Sequence, residues 1–306
     1  MISSGAPEDR RTSEQKDEST KDWHSANLLW EDKEATLDVT VVVPYYNPGN
    51  LLRSSIAELL EVLEGARVTY EVIAVSDGST DGSEGSIEDL PSDKIRRVSL
   101  HSNIGKGEAL RVGLSMGRGR YLGFIDADGD VSPDQIGQLV ALMTLYEPDI
   151  VLGSKRHPMS QVEYPLARRI YSWGFQQLIR MLFHLSVKDT QTGIKLVKRE
   201  VLSDVLPHMV EKRFAFDLEL FVVARHLGYE RFFEAPVKLG RRFTSTVSLK
   251  SVWTILVDTL SIFWRLRAQH YYDTDGQRFD AVVRGASQVQ IGDSDRPDSK
   301  DGAIKS

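Results

Sequence analysis

Short apolar runs alternate with stretches of helical periodicity over most of this chain. Val39–Val43 is almost wholly apolar and stops at Pro44, as a buried strand would. Leu52, Ile56, Leu59, Leu60 and Leu63 then recur at helical spacing within Leu51–Leu63. Glu71–Val75 and Ile95–Leu100 predict a second and a third strand. Glu108–Met116 predicts a helix entered from the glycine-rich Gly105–Lys106–Gly107. Tyr121–Ile125 reads as a fourth strand, Pro133–Tyr146 as a helix and Asp149–Leu152 as a fifth strand. Strands alternating with helices predict a mostly parallel sheet covered on both faces, with right-handed crossovers.

The second half is more mixed. Tyr164–Leu185 predicts a helix bearing aromatic and basic residues, and Thr192–Lys198 a strand. Phe216–Leu227 predicts a helix, Arg231–Leu239 a strand containing Pro236, and Ser251–Ala268 a strongly apolar helix. Apolar residues nearly encircle that last helix, which carries Trp253 and Trp264 and ends in Arg265 and Arg267. It either packs on a core or lies at a water–lipid interface.

Composition changes the picture at the two ends. Residues 1–36 hold nine acids and five bases with little periodicity, and 273–306 hold seven acids and five bases. Both read as disordered tails, which leaves 37–272 as the folded domain. The chain's net charge of −6 therefore sits in the tails, because the middle carries 28 groups of each sign. Within it, Lys155, Arg156, Arg168, Arg169 and Arg180 share a stretch with one acid, Glu163. Lys238, Arg241, Arg242 and Lys250 share a stretch with none. Such runs make a solvated face, an anion site or a membrane-facing rim. There is no cysteine, which excludes disulfides and thiolate metal sites and fits a reducing compartment. No apolar run reaches membrane-spanning length, and no apolar segment of a secretory signal stands at the N-terminus.

The strongest chemical signal is Asp126–Ala127–Asp128–Gly129, directly after the fourth predicted strand. Two carboxylates two residues apart on an extended chain face the same side and suit one shared divalent ion. The carboxyl ends of strands are also where open α/β sheets bind ligands. Ser76–Asp77–Gly78–Ser79–Thr80–Asp81–Gly82 and Asn103–Ile104–Gly105–Lys106–Gly107 are turn-rich loops after other strands. Each loop taken alone reads first as a strand-to-helix turn, expected whatever the function. The further reading is that Asp77 accepts from a base N–H or a ribose hydroxyl and that Lys106 meets a phosphate. Neither a Walker loop nor a G-x-G-x-x-G fingerprint occurs. His101, His157, His184 and His226 have no metal-ligand spacing.

In order along the chain come Pro44–Tyr45–Tyr46–Asn47, the Ser76–Gly82 loop, Asn103–Gly107 and Asp126–Gly129. This set resembles the inverting, GT-A-fold glycosyltransferases of family 2. Asp189–Thr190–Gln191–Thr192–Gly193–Ile194–Lys195–Leu196 and Phe214–Ala215–Phe216–Asp217–Leu218–Glu219–Leu220 narrow the likeness. They resemble the polyprenyl-phosphate sugar synthases, above all the dolichyl-phosphate β-glucosyltransferases. The likeness covers roughly 38–270. Ser76 stands where the family often has an acid, Pro48 where it often has Glu, and Asp130 where it often has Gln.

The resemblance implies a GT-A type α/β fold: a Rossmann-like, mostly parallel central sheet with helices on both faces and an amphipathic C-terminal helix. It implies transfer of a hexose, by expectation glucose from UDP-glucose, onto a polyprenyl phosphate. Pro44, Tyr46, Asn47, Asp77, Lys106, Asp126, Ala127 and Asp128 would bind the donor nucleotide, with Asp126 and Asp128 holding Mg²⁺ or Mn²⁺. Asp126, Asp128 and Asp189 would be catalytic. Lys155, Arg156, Arg168 and Ser172 would bind the acceptor phosphate; Arg168 and Ser172, four apart on a predicted helix, share a face. Gln191, Asp217 and Arg242 would lie on the acceptor and sugar side. The expected partners are a nucleotide-diphosphate sugar, a polyprenyl phosphate lipid and a membrane surface, with no nucleic acid. The expected location is cytoplasmic, peripheral to a membrane's inner face. GDP-mannose as donor, a soluble acceptor, and a nucleotide-sugar-binding protein without catalysis stay open at this point.

Overall fold

The computed structural model describes residues 34–160, 166–238, 249–273 and 289–291. Side chains of 166–172, 249–252 and 289–291 lie outside that description. The chain runs β1 (Leu37–Tyr45), α1 (Leu51–Gly65), β2 (Tyr70–Ser76), β3 (Ile95–Leu100), α2 (Lys106–Ser115), β4 (Gly119–Ile125), α3 (Gln135–Tyr146) and β5 (Ile150–Ser154). It continues α4 (Leu166–Phe183), β6 (Ile194–Lys198), α5 (Arg199–Val205), α6 (Phe216–His226), β7 (Phe232–Pro236), α7 (Leu249–Arg267) and β8 (Val289–Ile291). Single 3₁₀ turns occupy Ser83–Ile87, Leu206–His208 and Tyr271–Asp273.

The strands form one sheet in the order β7-β5-β6-β4-β1-β2-β3-β8. Pairings β1–β2, β1–β4, β2–β3 and β5–β7 are parallel, while β6 runs antiparallel to β4 and β5. β8 lies within the segment read as a tail and pairs antiparallel with β3.

Central strands are buried on both faces, as their near-continuous apolar runs predict. Val39, Val41 and Val43 join one core cluster with Leu52, Ile56, Leu59 and Leu63 of α1 and Leu139 and Met143 of α3. Their neighbours face the other way. Val42 presses on Gly113 of α2, and Phe124 stacks edge-on against Phe216 of α6 at 6.5 Å. Pro44 extends β1 rather than ending it, opposite Val75.

Two helices begin or appear where periodicity gives poor warning. α2 starts at Lys106, two residues before its predicted start, and seven-residue α5 was not predicted. The order β3-β2-β1-β4 places a topological switch at β1, because the chain leaves β1 in one direction and returns on its other side. The carboxyl ends of β1 and β4 there open the crevice where such sheets bind ligands.

Candidate active site

The loops that follow β1 and β2 are bonded to each other. Asn47 N–H donates to Ser79 Oγ at 3.0 Å, and Thr80 N–H donates to Asn47 Oδ1 at 2.7 Å. Gly49 N–H donates to Asp81 Oδ2 at 2.8 Å. Ser76, fully buried at the end of β2, accepts the Ser79 N–H at 3.1 Å. A short hydroxyl there closes the turn that a longer acid would have to fill differently.

Asp77 ties in the third loop. Its carboxylate accepts the backbone N–H groups of Ile104 at 2.8 Å and Gly105 at 3.0 Å. Burial pushes this carboxyl up, and the two N–H bonds oppose the shift. Gly105 has a φ of 130°, and a Cβ there would lie 2.4 Å from the Lys212 carbonyl oxygen. Only glycine lets the loop pass so close to the 209–215 segment.

β4 ends at Ile125, and a turn follows. The two aspartates therefore meet through this turn, not along an extended strand as the spacing suggested. Asp130 backbone N–H donates to Asp128 Oδ1 at 3.0 Å, which fixes that carboxylate in the turn. Asp126 N–H donates to the Gly193 carbonyl at 2.9 Å. A Cβ on Gly193 would sit 2.2 Å from Asp126 Oδ2, so a glycine in the Thr192–Gly193 step makes room for that carboxylate.

Lys106 fills the floor. Its Nζ lies 2.7 Å from Asp126 Oδ1, 2.8 Å from Oδ2 and 3.6 Å from Asp217 Oδ2. Burial acts against its charge, but Asp126, Asp217 and Asp128 outweigh it and hold the ammonium protonated above its ordinary range. Behind it, wholly buried Lys195 bonds Asp217 and donates to the Thr192 carbonyl at 2.6 Å. Burial draws the Lys195 ammonium down, and Asp217 opposes this.

Lys106, Asp126, Asp128 and Asp217 line one cavity of about 980 Å³ at the carboxyl ends of β1, β2 and β4. Pro44, Tyr46, Asn47, Asp77, Lys106, Asp126, Ala127, Asp128, Lys155, Gln191 and Asp217 all border it, so the structure brings together every residue assigned to donor binding. Arg213 and exposed Phe214, not assigned from sequence, border it too. The volume suits a nucleotide-sized ligand. Among the described residues no three His, Cys, Asp or Glu side chains gather to hold a metal alone. The carboxylates of Asp126 and Asp128 instead suit a hard divalent cation shared with a ligand's oxygens.

The acceptor-side assignments divide. Asp189 and Arg156 border a smaller cavity of about 80 Å³ with Phe175, Gln176 and Ile179, and Gln191 borders both spaces. Asp189 Oδ2 accepts the Lys155 backbone N–H at 2.9 Å, and Arg156 bonds Gln176. The Asp189 carboxylate is thus engaged in holding the turn after β5. Lys155 Nζ reaches within 3.8 Å of Asp130. Arg168 and Ser172 fall on α4, but their side chains lie outside the described residues, as does all of Arg242.

The sequence profile of Glycosyl transferase family 2 matches residues 40–206, more than half of the chain. The chain belongs to glycosyl transferase family 2. Within this family it is 36% identical over 208 residues to a dolichyl-phosphate beta-glucosyltransferase of Drosophila melanogaster, covering 63% of this chain and 64% of that protein. The human protein of that name is 32% identical over 225 residues, covering 68% and 67%. The Dictyostelium discoideum one is 31% identical over 205 residues, covering 62% and 63%. This family 2 chain thus spans a little under two thirds of the Drosophila and Dictyostelium relatives. Its fold matches other glycosyltransferase structures. Mannosyl-3-phosphoglycerate synthase from Rubrobacter xylanophilus superposes with a TM-score of 0.57 at 17% identity, covering 76% and 75% of the two chains. Glucosyl-3-phosphoglycerate synthase from Mycobacterium tuberculosis, solved with Mn²⁺, UDP and phosphoglyceric acid, gives 0.56 at 20% identity, covering 80% and 82%.

Proposed function

We propose that this family 2 protein transfers glucose from UDP-glucose to dolichyl phosphate or a related polyprenyl phosphate, inverting the anomeric centre. The observation that carries the reading is the single cavity where Asp126, Asp128, Lys106 and Lys155 meet the loops after β1 and β2. The relatives' name supplies the donor sugar and acceptor class.

The chemistry needs charge compensation at two points. An acceptor phosphate oxygen attacks C1 of glucose while the bond from C1 to the β-phosphate oxygen breaks, and that electron pair departs with UDP. The attacking oxygen is already anionic near neutral pH, so it needs alignment more than a general base. Pro44, Tyr46, Asn47 and Asp77 hold the nucleoside, and Lys106 meets the diphosphate. Asp126 and Asp128 would hold Mg²⁺ or Mn²⁺, which when bound neutralises charge on the leaving diphosphate. Lys155, Arg156, Arg168 and Ser172 receive the acceptor phosphate, with Gln191 and Arg242 beside it. Asp189 acts through the Lys155 backbone, fixing the turn that presents this cation.

The reaction runs at the cytoplasmic surface of a membrane, where the chain binds peripherally. No helix among the described residues is long and apolar enough to cross a membrane. On α7, Trp253, Val257, Leu260 and Trp264 are exposed at spacings of four, three and four residues, and so form one stripe. Aromatic and aliphatic side chains in such a stripe suit the headgroup boundary. On α4, Trp173 and Met181 are also exposed, and Phe183 meets Phe263 of α7.

The test incubates the full chain with radiolabelled UDP-glucose, Mn²⁺ and dolichyl phosphate in vesicles. Lipid-extractable label that disappears with chelator is expected. Label found only in a water-soluble product, or none with any nucleotide sugar, contradicts the reading.

A further inference from the structure

Four side chains of alternating charge run from the core to the cavity. Lys195, on β6, is 0% exposed and bonds Asp217 Oδ1 in the first turn of α6. Asp217, itself 3% exposed, places Oδ2 3.6 Å from Lys106 Nζ. Lys106 in turn touches both oxygens of Asp126, the last member, and Asp217, Lys106 and Asp126 all border the ligand space. The ammonium thus occupies a carboxylate that the proposed function assigns to a cation. A divalent ion and Lys106 compete for Asp126, and like charges at such distances repel strongly. The displaced ammonium needs a second carboxylate within reach, and Asp217 offers one.

We infer that Lys195 and Asp217 are a positioning pair for cation binding: they fix the oxygen that takes over Lys106 when a cation and a diphosphate engage Asp126. The inference rests on the reading of Asp126 as a cation ligand. Lys195 holds Asp217 from behind, and Phe124 and Phe221 flank its ammonium at 5.0 and 5.9 Å. Asp217 cannot follow Lys106 into the cavity, so the ammonium stays at its floor and faces the incoming phosphates. A merely structural pair would tie β6 to α6 and leave cation affinity alone.

The test measures Mn²⁺ affinity of the full chain with UDP present, by electron paramagnetic resonance of free Mn²⁺. The variants are Lys195→Met with Asp217→Asn, Lys106→Gln, and the three substitutions together. Changing the pair together leaves no buried charge without its partner. The paired variant is expected to bind Mn²⁺ about tenfold more weakly, with UDP affinity in the absence of metal changed less than about twofold. Lys106→Gln frees Asp126 and is expected to tighten Mn²⁺. In that background the paired change is expected to shift Mn²⁺ affinity less than about twofold, because the coupling runs through the ammonium. A folded paired variant with wild-type Mn²⁺ affinity overturns the inference, as does a loss that persists without Lys106. Should the paired variant not fold, Asp217→Asn decides, with and without Lys106→Gln: weaker Mn²⁺ binding that needs Lys106 supports the inference, and unchanged binding, or a loss that persists without Lys106, overturns it. A wild-type chain whose UDP binding ignores Mn²⁺ removes the proposed function as well, whereas Mn²⁺-dependent binding with indifferent variants removes only this inference.

Discussion

Two charged clusters occupy opposite ends of the same central strands. Near the amino ends, buried Glu71 accepts from Thr40 Oγ1 at 2.9 Å, from the Arg118 backbone N–H at 2.6 Å and from Arg118 Nε at 3.1 Å. Thr40 Oγ1 also accepts the N–H groups of Arg118 and Gly119. Arg199 closes the same end by donating to the Gly117 and Gly119 carbonyls. At the carboxyl ends, Asp126, Asp217, Lys106 and Lys195 are equally crowded, yet their chain opens into about 980 Å³ of ligand space. Both clusters bury charge. The first spends its hydrogen-bonding capacity on backbone and side-chain groups around it, and the second keeps carboxylate oxygens and an ammonium facing a cavity. Charge burial alone therefore does not mark a site; unspent capacity beside a space does.

Removing one group from each cluster separates them. Asp128→Ala is expected to lower glucosyl transfer at least about 100-fold, comparable to losing one charge-stabilising contact in a transition state. Asp128 is exposed, so thermal unfolding is expected to stay close to wild type. Glu71→Ala is expected to do the reverse. Arg118 is half-exposed and Arg96 keeps the Met116 carbonyl. The cost is therefore that of the Thr40 hydroxyl and Arg118 N–H losing their acceptor, roughly 1–3 kcal/mol in urea unfolding, while transfer per folded molecule is retained. Equal activity losses in both variants, each scaled to folded protein, would erase the distinction.

Asp77→Asn probes the border between the two kinds of role. The amide has one acceptor oxygen fewer for the Ile104 and Gly105 N–H groups, at a cost of about 1–3 kcal/mol. The loop that carries Lys106 loosens. KM for the donor is expected to rise about tenfold with a smaller change in kcat, since roughly 1.4 kcal/mol is a factor of ten. A normal KM would show that the loop holds without this carboxylate.

The smallest effect concerns pH. Glu219 of α6 is fully buried and accepts from Tyr272 Oη at 2.8 Å and from the Val210 and Glu211 N–H groups. Burial raises its carboxyl above the ordinary 4.5, with Arg265 opposing. The folded state thus binds this proton more tightly than the unfolded chain. Its contribution to stability is complete below pH 4.5 and is lost as pH rises through the raised value. Glu219→Gln is expected to remove that part of the slope, read as a smaller difference between unfolding at pH 5 and at pH 8. An unchanged slope would contradict the assignment.

Much of this was legible in the sequence. The strands that frame the cavity are apolar throughout because both faces are covered, and a continuous Val- and Ile-rich run signals that. The loops after β1, β2, β3 and β4 carry Pro, Gly, Asn and Asp at their turns; each alone reads as a turn, and it is their order, through the family likeness, that singled out the residues that border one space. What escaped is short or long-range. Seven-residue α5 gives less than two helical turns of pattern, and three-residue β8 gives none. The Lys195–Asp217 contact spans 22 positions, and a lysine in a strand reads as solvent-facing until its partner is placed. Arg213 and Phe214 reach the cavity on a segment held by Glu219, which no local periodicity announces. The tail boundaries at 36 and 273 and the acceptor roles of Arg168, Ser172 and Arg242 stand as proposals.

The most direct test of the central claim is an anomalous-diffraction map of crystals grown with UDP and Mn²⁺. The account predicts a manganese peak within coordination distance of Asp128, shared with the diphosphate oxygens, and uracil between the loops after β1 and β2. A peak elsewhere, or UDP bound without manganese at these carboxylates, would contradict it.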